Sequence, residues 1–555
     1  MDKAAKRAKV LFVLAAVIAG IWIGFFHSDG LCDLSGDSAR YFLLGKALSD
    51  GHGYVEIEKP GLPVHTEYGP ALPAVMAVLM KLGADSPEDF KWLMYLSLLS
   101  GTVLFFGYVA MKERPGETAL SAGVLVLIAA TFPFQARFAN QVLSDLPYLA
   151  LSMLALAVVY SAGDEKRSAK VWFIAGLVAG ISFLFRQVGL ALWVGFLLGI
   201  LLSPGREIKE RLKLCVLVTV GFWLVAGAWL LRNYFVVGSL DPSHADKLFW
   251  AKDADPFAGT IGLTELLLRG LKGLRSYVRE LGSVLFDMPS AYWSFPTALR
   301  AGAALLILVP AVYGLFSRII SRRGPLEFYF IVYVAIISLW QSHNPRYLLP
   351  ILPLIVFYAA HGLSSFLSST KWKVKAMGGA AGLLVIVNIL VFAGDAGVAL
   401  SSVETPGRVP CFTLKPGQRD EMKELAGTIK WGYWYQYPDM LSLTDTASYA
   451  MRWHRLQAVL IWCGKNLPDD AVIAARKPRL AAYYTGRYAL QYPALLDPAA
   501  LSARLEEMGV THVFIDEVSP AVRQVIKNYA GERPDDLKVV YGLGGTYIAG
   551  FNPTP

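Results

Sequence analysis

Apolar runs long enough to cross a bilayer as helices recur along the first 395 positions of the chain and then stop. They lie at 10–26, 91–111, 118–134, 142–161, 171–187, 188–203, 214–231, 299–317, 326–341, 347–366 and 376–395 and predict about eleven spans. Every second connection is basic: Lys112 and Arg114, then Lys166, Arg167 and Lys170, then Arg206, Lys209, Arg211 and Lys213. Arg318, Arg322 and Arg323, and finally Lys371, Lys373 and Lys375, continue the alternation. Basic connections stay in the cytoplasm, and Lys3, Lys6, Arg7 and Lys9 put the N-terminus there too. After the first run, His27-Ser28-Asp29-Gly30 offers no small-residue cleavage site, so that run is expected to be a retained anchor. An odd number of spans sends the C-terminus to the outer face.

Three pieces are thereby expected outside: 27–90, 232–298, and everything after about residue 395. Apolar positions Ala39, Phe42, Leu43, Ala47 and Leu48 have helical spacing and predict a helix on the membrane surface, while 71–82 is too short to span and predicts a second interfacial helix. In the second loop, Arg269, Lys272, Arg275 and Arg279 interleave with Leu266, Leu267, Leu268, Leu271 and Leu274. That pattern suits either anionic lipid headgroups or a packed helix with a solvated face. From 396 to 555 the period shortens: strand-like runs at 471–475, 487–490 and 511–515 and a helical run at 498–508 predict a soluble α/β domain on a four-strand skeleton. The aromatic segment Gly432-Tyr-Trp-Tyr-Gln-Tyr-Pro438 can stack on sugar rings or cap the domain at the interface.

Composition agrees with a polytopic α-helical membrane protein: 55% of residues are hydrophobic and 17% charged, which excludes a soluble globule. The net charge of +9 sits in the short connections rather than on one face or tail, so no nucleic-acid partner is expected. Cys32, Cys215, Cys411 and Cys463 have no metal spacing. Cys411 and Cys463 share the outer domain, where an oxidising compartment permits a disulfide between them.

Ionisable residues at membrane depth are expensive and mark chemistry. Asp33 and Asp37 follow the first helix four residues apart, so in a helix they would share a face, as a cation site or as base and support. Asp37 also reads as a simple N-cap for the helix behind it. Asp145, in Leu143-Ser-Asp-Leu-Pro147, opens the fourth span on the same outer face, where its plain reading is again a helix start. Arg137, Arg186, Arg232, His343 and Arg346 fall at outer helix ends, where arginines either snorkel or bind a phosphate bidentately.

The order of these motifs resembles the integral-membrane glycosyltransferases of GT-C type, in particular the protein O-mannosyltransferase and aminoarabinose-transferase group. It is carried by the first-loop acids, Thr66-Glu-Tyr-Gly-Pro70, Ser144-Asp145-Leu-Pro147, Phe185-Arg186, Leu231-Arg232-Asn233-Tyr234 before Gly238, and Arg346-Tyr-Leu-Leu-Pro350-Ile-Leu-Pro353. The resemblance covers residues 1–395 as the transferase domain and 396–555 as an extracytoplasmic domain. It implies a polyprenyl-phosphate sugar donor and transfer with inversion on the outer face of a bacterial inner membrane, to a glycan, lipid or protein acceptor. On that pattern Asp37 is the base, with Asp145 and Asp33 as further acids. Arg346, Arg186, Arg232, Arg137 and His343 then hold the donor phosphate. Where aminoarabinose transferases carry Lys-Pro-Pro, this chain has Tyr68-Gly69-Pro70, so the sugar is left open. Some relatives use a divalent cation, for which Asp33, Asp37, Asp145, His65 and His343 are scattered candidates, and a metal-free site is preferred. The rival reading, a transporter or flippase of lipid-linked saccharide, lacks mid-span charges and inverted repeats. An assembly subunit would need no acidic pair.

Overall fold

The computed structural model describes residues 3–27, 37–113, 119–130, 132–139, 141–161, 169–203, 207–238, 245–252, 255–285, 297–366, 443–492, 497–518 and 520–553. The chain opens with α1 (Lys3–His27), α2 (Ser38–Ser49), α3 (Ala71–Lys81) and α4 (Lys91–Leu104). A π-helical stretch, Phe105–Ala110, joins α4 to α5 (Met111–Glu113). Then come α6 (Ala119–Ala130), α7 (Pro133–Ala139), α8 (Asp145–Ser161), α9 (Ala169–Phe185), α10 (Leu190–Leu202) and α11 (Ile208–Val237). The connection after α11 holds α12 (Ala245–Phe249), the antiparallel pair β1 (Trp250–Lys252) and β2 (Asp255–Thr260), and α13 (Leu263–Leu285). The helices α14 (Thr297–Ser321), α15 (Pro325–Leu339) and α16 (Leu352–Phe366) follow, with a 3-10 segment Pro345–Ile351 leading into α16.

Among the described residues, four helices are long and apolar enough to cross a membrane: Pro87–Ala110, Ile208–Val237, Ala304–Ser321 and Pro345–Ser365. Shorter apolar helices accompany them, among them α8, α9 and α15. Each expected run coincides with a helix, except 376–395, which lies outside the described residues. The boundary expected near residue 395 and the segment 432–438 also lie outside them. The boundary that bears on the site is the end of α11. Helix α11 runs on to Val237 and is stopped by Gly238 at φ 74°, a left-handed position that glycine tolerates, so Arg232 and Asn233 sit inside a helix rather than in a loop.

The helices pack in neighbouring pairs, α9 on α8 and α11, α10 on α15, and α14 on α16. Glycines permit the closest crossings: a Cβ at Gly176 would strike the Val218 carbonyl, and one at Gly362 the Pro310 carbonyl. Small residues at such contacts are what membrane helices use in place of a hydrophobic driving force. Helix α11 shows the division of faces. Val218, Phe222 and Ala226 are buried, whereas Leu212, Val216, Val220 and Leu224 are apolar yet exposed, as a lipid-facing stripe requires. Where α14 gives way to α15, Arg318 of α14 meets Glu327 of α15 at 2.6 Å with both side chains buried. Glu327 also accepts the Gly324 amide at 3.0 Å, so this pair ties the turn between the helices.

The C-terminal part contains α17 (Leu443–Asn466), β3 (Val472–Ala475), α18 (Pro478–Thr485), β4 (Tyr488–Gln491) and α19 (Pro498–Glu507). It continues with β5 (His512–Ile515), α20 (Pro520–Glu532), β6 (Leu537–Leu543) and β7 (Thr546–Phe551). The sheet has five strands in the order β4-β3-β5-β7-β6, with β4, β3 and β5 parallel and β7 antiparallel to both neighbours. The four-strand expectation is therefore corrected to five. The C-terminal hairpin β6–β7 turns on Gly544-Gly545, with Leu543 facing Thr546 and Gly544 at φ 58°, a two-residue glycine turn that was legible as a hairpin signal. Cys463 is buried in α17, and Cys411 lies outside the described residues.

Helix α2 packs against both parts. Its Ala39 and Leu43 enter the core built from Trp453, Leu456 and Leu480 of the C-terminal part. Phe42 meets Tyr483 edge-on at 5.2 Å, and the Glu58 carbonyl accepts the Ala489 amide at 2.8 Å.

Removing Arg318 leaves Glu327 buried without this cation, a change that costs about 3–5 kcal/mol. Arg318→Ala is therefore expected to melt markedly earlier in a detergent thermal-shift assay than Arg318→Met combined with Glu327→Leu. Equal losses would contradict the pairing.

Candidate active site

Asp37 occupies the N-cap position of α2, and its carbonyl accepts the Tyr41 amide at 3.0 Å. Its side chain makes no capping hydrogen bond. It turns away instead: Oδ1 accepts the Tyr68 hydroxyl at 2.7 Å and Oδ2 accepts Arg346 Nη2 at 2.5 Å. The cap reading thus describes the backbone, and the carboxylate is committed to Tyr68 and Arg346 rather than to the helix. Burial alone would raise the Asp37 pKa, but Arg346, the Tyr68 hydroxyl and Arg40 outweigh it and hold the carboxyl at about 2. The side chain still keeps 28% of its surface accessible.

Arg346 reaches Asp37 because the 3-10 segment Pro345–Ile351 is fixed at both edges. The Asn344 side chain caps it by accepting the Arg346 amide at 3.0 Å, and Tyr333 donates its hydroxyl to the Tyr347 carbonyl at 2.8 Å. Arg346 Nε is buried with no hydrogen-bond partner among the described residues.

A second acid–arginine pair lies beside the first. Asp145, in the first turn of α8 and 1% exposed, meets Arg186 Nη1 at 2.6 Å. This is an ion pair set off the hydrogen-bonding direction, since neither Asp145 oxygen has a hydrogen-bond partner among the described residues. The pairs are bridged: Tyr41 shares a hydrogen bond with Ser144 at 2.9 Å, and Arg186 Nη1 donates to the same hydroxyl at 3.5 Å. Arg186 and Arg346 both lie 5.4 Å from the Tyr347 ring centroid. Two guanidinium groups and two carboxylates therefore share one polar site at the ends of four elements, α2, α8, α9 and the 3-10 segment.

The first loop closes one side of this site. Gly69 packs so closely that a Cβ there would fall on the Leu184 carbonyl at the end of α9, which explains glycine in Tyr68-Gly69-Pro70. Arg40 pairs with Glu67 and lies 4.4 Å over the Tyr68 ring. Glu67 also holds Lys247 at 2.8 Å, which draws α12 onto the first loop.

Of the expected site residues, the structure gathers Asp37, Asp145, Arg186 and Arg346. Arg232 is engaged elsewhere: it donates to the His65 carbonyl at 2.6 Å and packs on Trp229, so it braces the first loop. The His343 ring nitrogen Nε2 lies 3.2 Å from the Ser338 carbonyl and the ring meets Tyr277 edge-on, so His343 is occupied on α13 and α15. Arg137 belongs to α7 and its side chain lies outside the described residues, as does all of Asp33. The residues not foreseen are Arg40, Tyr41, Glu67, Tyr68, Ser144, Lys247 and Tyr347. Arg40 was legible as the position three residues after Asp37, one turn on.

Among the described residues no three His, Cys, Asp or Glu side chains gather as a metal site. Asp37 and Asp145 each face an arginine, and His65 uses both ring nitrogens within the first loop.

Residues 67–230 match the family model described as dolichyl-phosphate-mannose-protein mannosyltransferase. No curated protein matches the chain. Among solved structures, ArnT from Cupriavidus metallidurans bound to undecaprenyl phosphate aligns at a TM-score of 0.56 with 13% identity, covering 98% of this chain and 99% of that one. The same enzyme in the apo state aligns at 0.55 with 14% identity, covering all of both chains. An oligosaccharyltransferase from Archaeoglobus fulgidus aligns at 0.49 with 12% identity over 98% of this chain and 74% of that one.

Because the Asp37 pKa is held below its ordinary 3.8, the stabilisation from its ion pair is complete above that value and is lost as pH falls toward about 2. Asp37→Asn is therefore expected to lower the melting temperature by an amount that stays constant between about pH 5 and 8. A deficit that vanishes within that window would contradict the pairing.

Proposed function

We propose that this chain, which has the fold of the GT-C type membrane glycosyltransferases and carries a match to one of their families within it, is an inverting glycosyltransferase. In this reading it takes a sugar from a polyprenyl-phosphate donor and passes it to an acceptor on the outer face of a bacterial inner membrane. The membrane part crosses about eleven times from a cytoplasmic N-terminus, and the C-terminal part is extracytoplasmic.

The observation that carries the reading is the contact between Asp37 and Arg346. A transferase of this class needs a carboxylate at the attacking hydroxyl and positive charge at the leaving phosphate. Here the two stand side by side. Undecaprenyl phosphate bound to a protein of the same fold supports a polyprenyl phosphate as the donor's lipid.

When the donor phosphate reaches Arg346 it competes with Asp37 for the guanidinium, whose buried Nε adds an uncommitted donor. Asp37 loses its strongest charge partner and becomes more basic. The acceptor hydroxyl then attacks the anomeric carbon from the face opposite the phosphate. The new C–O bond forms as the bond to the phosphate oxygen breaks, the hydroxyl proton passes to Asp37, and the bond electrons leave with the polyprenyl phosphate. Arg186, tied to Asp145 and Ser144, supplies a second cation for the departing charge. Asp33, Arg137 and His343 stay in the proposal as outer-face groups without a defined step, and Arg232 as a brace of the first loop.

Asp37→Asn is expected to lose transfer by roughly 10²–10⁴-fold at unchanged expression, whereas Arg346→Ala is expected to raise the donor KM as well. Radiolabelled-sugar transfer in proteoliposomes measures both, and full activity in Asp37→Asn would sink the assignment.

The pH profile adds a separate check. The acid limb of kcat/KM reports the free enzyme, where Asp37 titrates at about 2, so Asp37 contributes no limb to kcat/KM between about pH 5 and 8. The limb in kcat reports the donor complex and is expected at higher pH. A kcat limb at or below that of kcat/KM would contradict release of Asp37 by the phosphate.

A further inference from the structure

The first loop contains a histidine that the mechanism above does not use. His65 is 1% exposed. It ends a tight hairpin in which Val55 pairs with Val64 and the His65 amide donates to the Tyr54 carbonyl at 2.9 Å. Its Nδ1 lies 2.8 Å from Glu56 Oε1, and its Nε2 accepts the Tyr68 amide at 2.9 Å. A carboxylate can only accept and an amide N–H can only donate, so the two partners define the ring: the proton sits on Nδ1 and Nε2 is bare. Burial lowers the histidine's pKa, which favours this neutral form.

The remaining contacts of the segment serve the same end. Arg232 and Asn233 of α11 donate to the carbonyls of His65 and Thr66 at 2.6 and 3.1 Å. Tyr54 donates its hydroxyl to the carbonyls of Tyr68 and Gly69 at 2.9 and 3.2 Å. The Tyr68 ring is then clamped between Arg40 at 4.4 Å and Tyr41 at 5.2 Å, and its hydroxyl ends on Asp37 Oδ1. That hydroxyl matters most after the donor phosphate has taken Arg346, because it is then the remaining side-chain tether on the Asp37 carboxylate.

We infer that His65 is a positioning residue: oriented by Glu56, it fixes the Tyr68 backbone so that the tyrosine hydroxyl aims Asp37 at the acceptor. The inference rests on Asp37 being the base. It gives Glu56 and His65 a role in the rate of transfer with no contact to donor or acceptor, and it makes Tyr68 the specific partner through which they act.

The experiment compares His65→Ala, Tyr68→Phe, the double variant and His65→Gln in full-length protein reconstituted in proteoliposomes. It reads kcat, donor KM and amide hydrogen exchange of 66–69. Loss of one hydrogen bond to a charged group predicts a fall in kcat of roughly tenfold in each single variant, with donor KM within about twofold. The double variant is expected to be no worse than the poorer single one, because both act through the same hydroxyl. Exchange at 66–69 should rise in His65→Ala and stay at the wild-type level in Tyr68→Phe. His65→Gln, which keeps an acceptor for the Tyr68 amide, should recover part of the lost kcat.

Additive losses in the double variant, or wild-type kcat in His65→Ala despite raised exchange, would overturn the inference. So would unchanged exchange in His65→Ala, and that result holds whatever Asp37 does. Wild-type activity in Asp37→Asn, measured alongside, would instead bring down the base assignment on which the inference rests.

Discussion

The arrangement depends on the ion pair between Asp37 and Arg346, two residues 309 positions apart in the chain. It joins the loop after the first helix to the segment that opens α16, and it lets a carboxylate and a guanidinium stand partly buried without either being left as an isolated charge. Most of the neighbouring geometry maintains it. Asn344 and Tyr333 fix the arginine's segment, while Tyr68, Arg40 and Glu67 fix the loop that carries the acid. Asp145 and Arg186 repeat the motif next door, so each of the two guanidinium groups at its centre meets a carboxylate.

Much of this was legible in the chain. The alternation of apolar runs with basic connections set the helices and their order, because a bilayer demands a run of fixed length and a sidedness of charge. The carboxylates Asp37 and Asp145 stood out because acids at that depth need a reason. What could not be read was pairing across hundreds of residues. Arg232, Arg186 and Arg346 look alike as outer-end arginines, yet Arg232 binds backbone while the other two meet carboxylates. Nothing local distinguishes them, since the outcome depends on how α9, α11 and the first loop pack. The β6–β7 hairpin was a different case, with its Gly544-Gly545 turn present in the sequence and passed over.

The C-terminal part enters the site indirectly. Its core accepts Ala39 and Leu43 of the helix that starts at Asp37. Arg479 and Ala489 meet Glu58, which lies in the hairpin that ends at His65. One side of α2 is thus set by the helical core and the other by the C-terminal sheet region, so the position of the carboxylate is shared between them. Tyr68 gives the site a neutral hydroxyl donor, and positive charge beside it comes from Arg40 and, through Glu67, from Lys247.

The central claim is that one guanidinium serves Asp37 before the donor arrives and the lipid phosphate afterwards. It is tested most directly by the dissociation constant of a polyprenyl phosphate for wild-type protein and for Asp37→Asn. Removing the competing carboxylate charge is expected to tighten binding by roughly tenfold or more. Binding that is unchanged or weaker in Asp37→Asn would contradict the account.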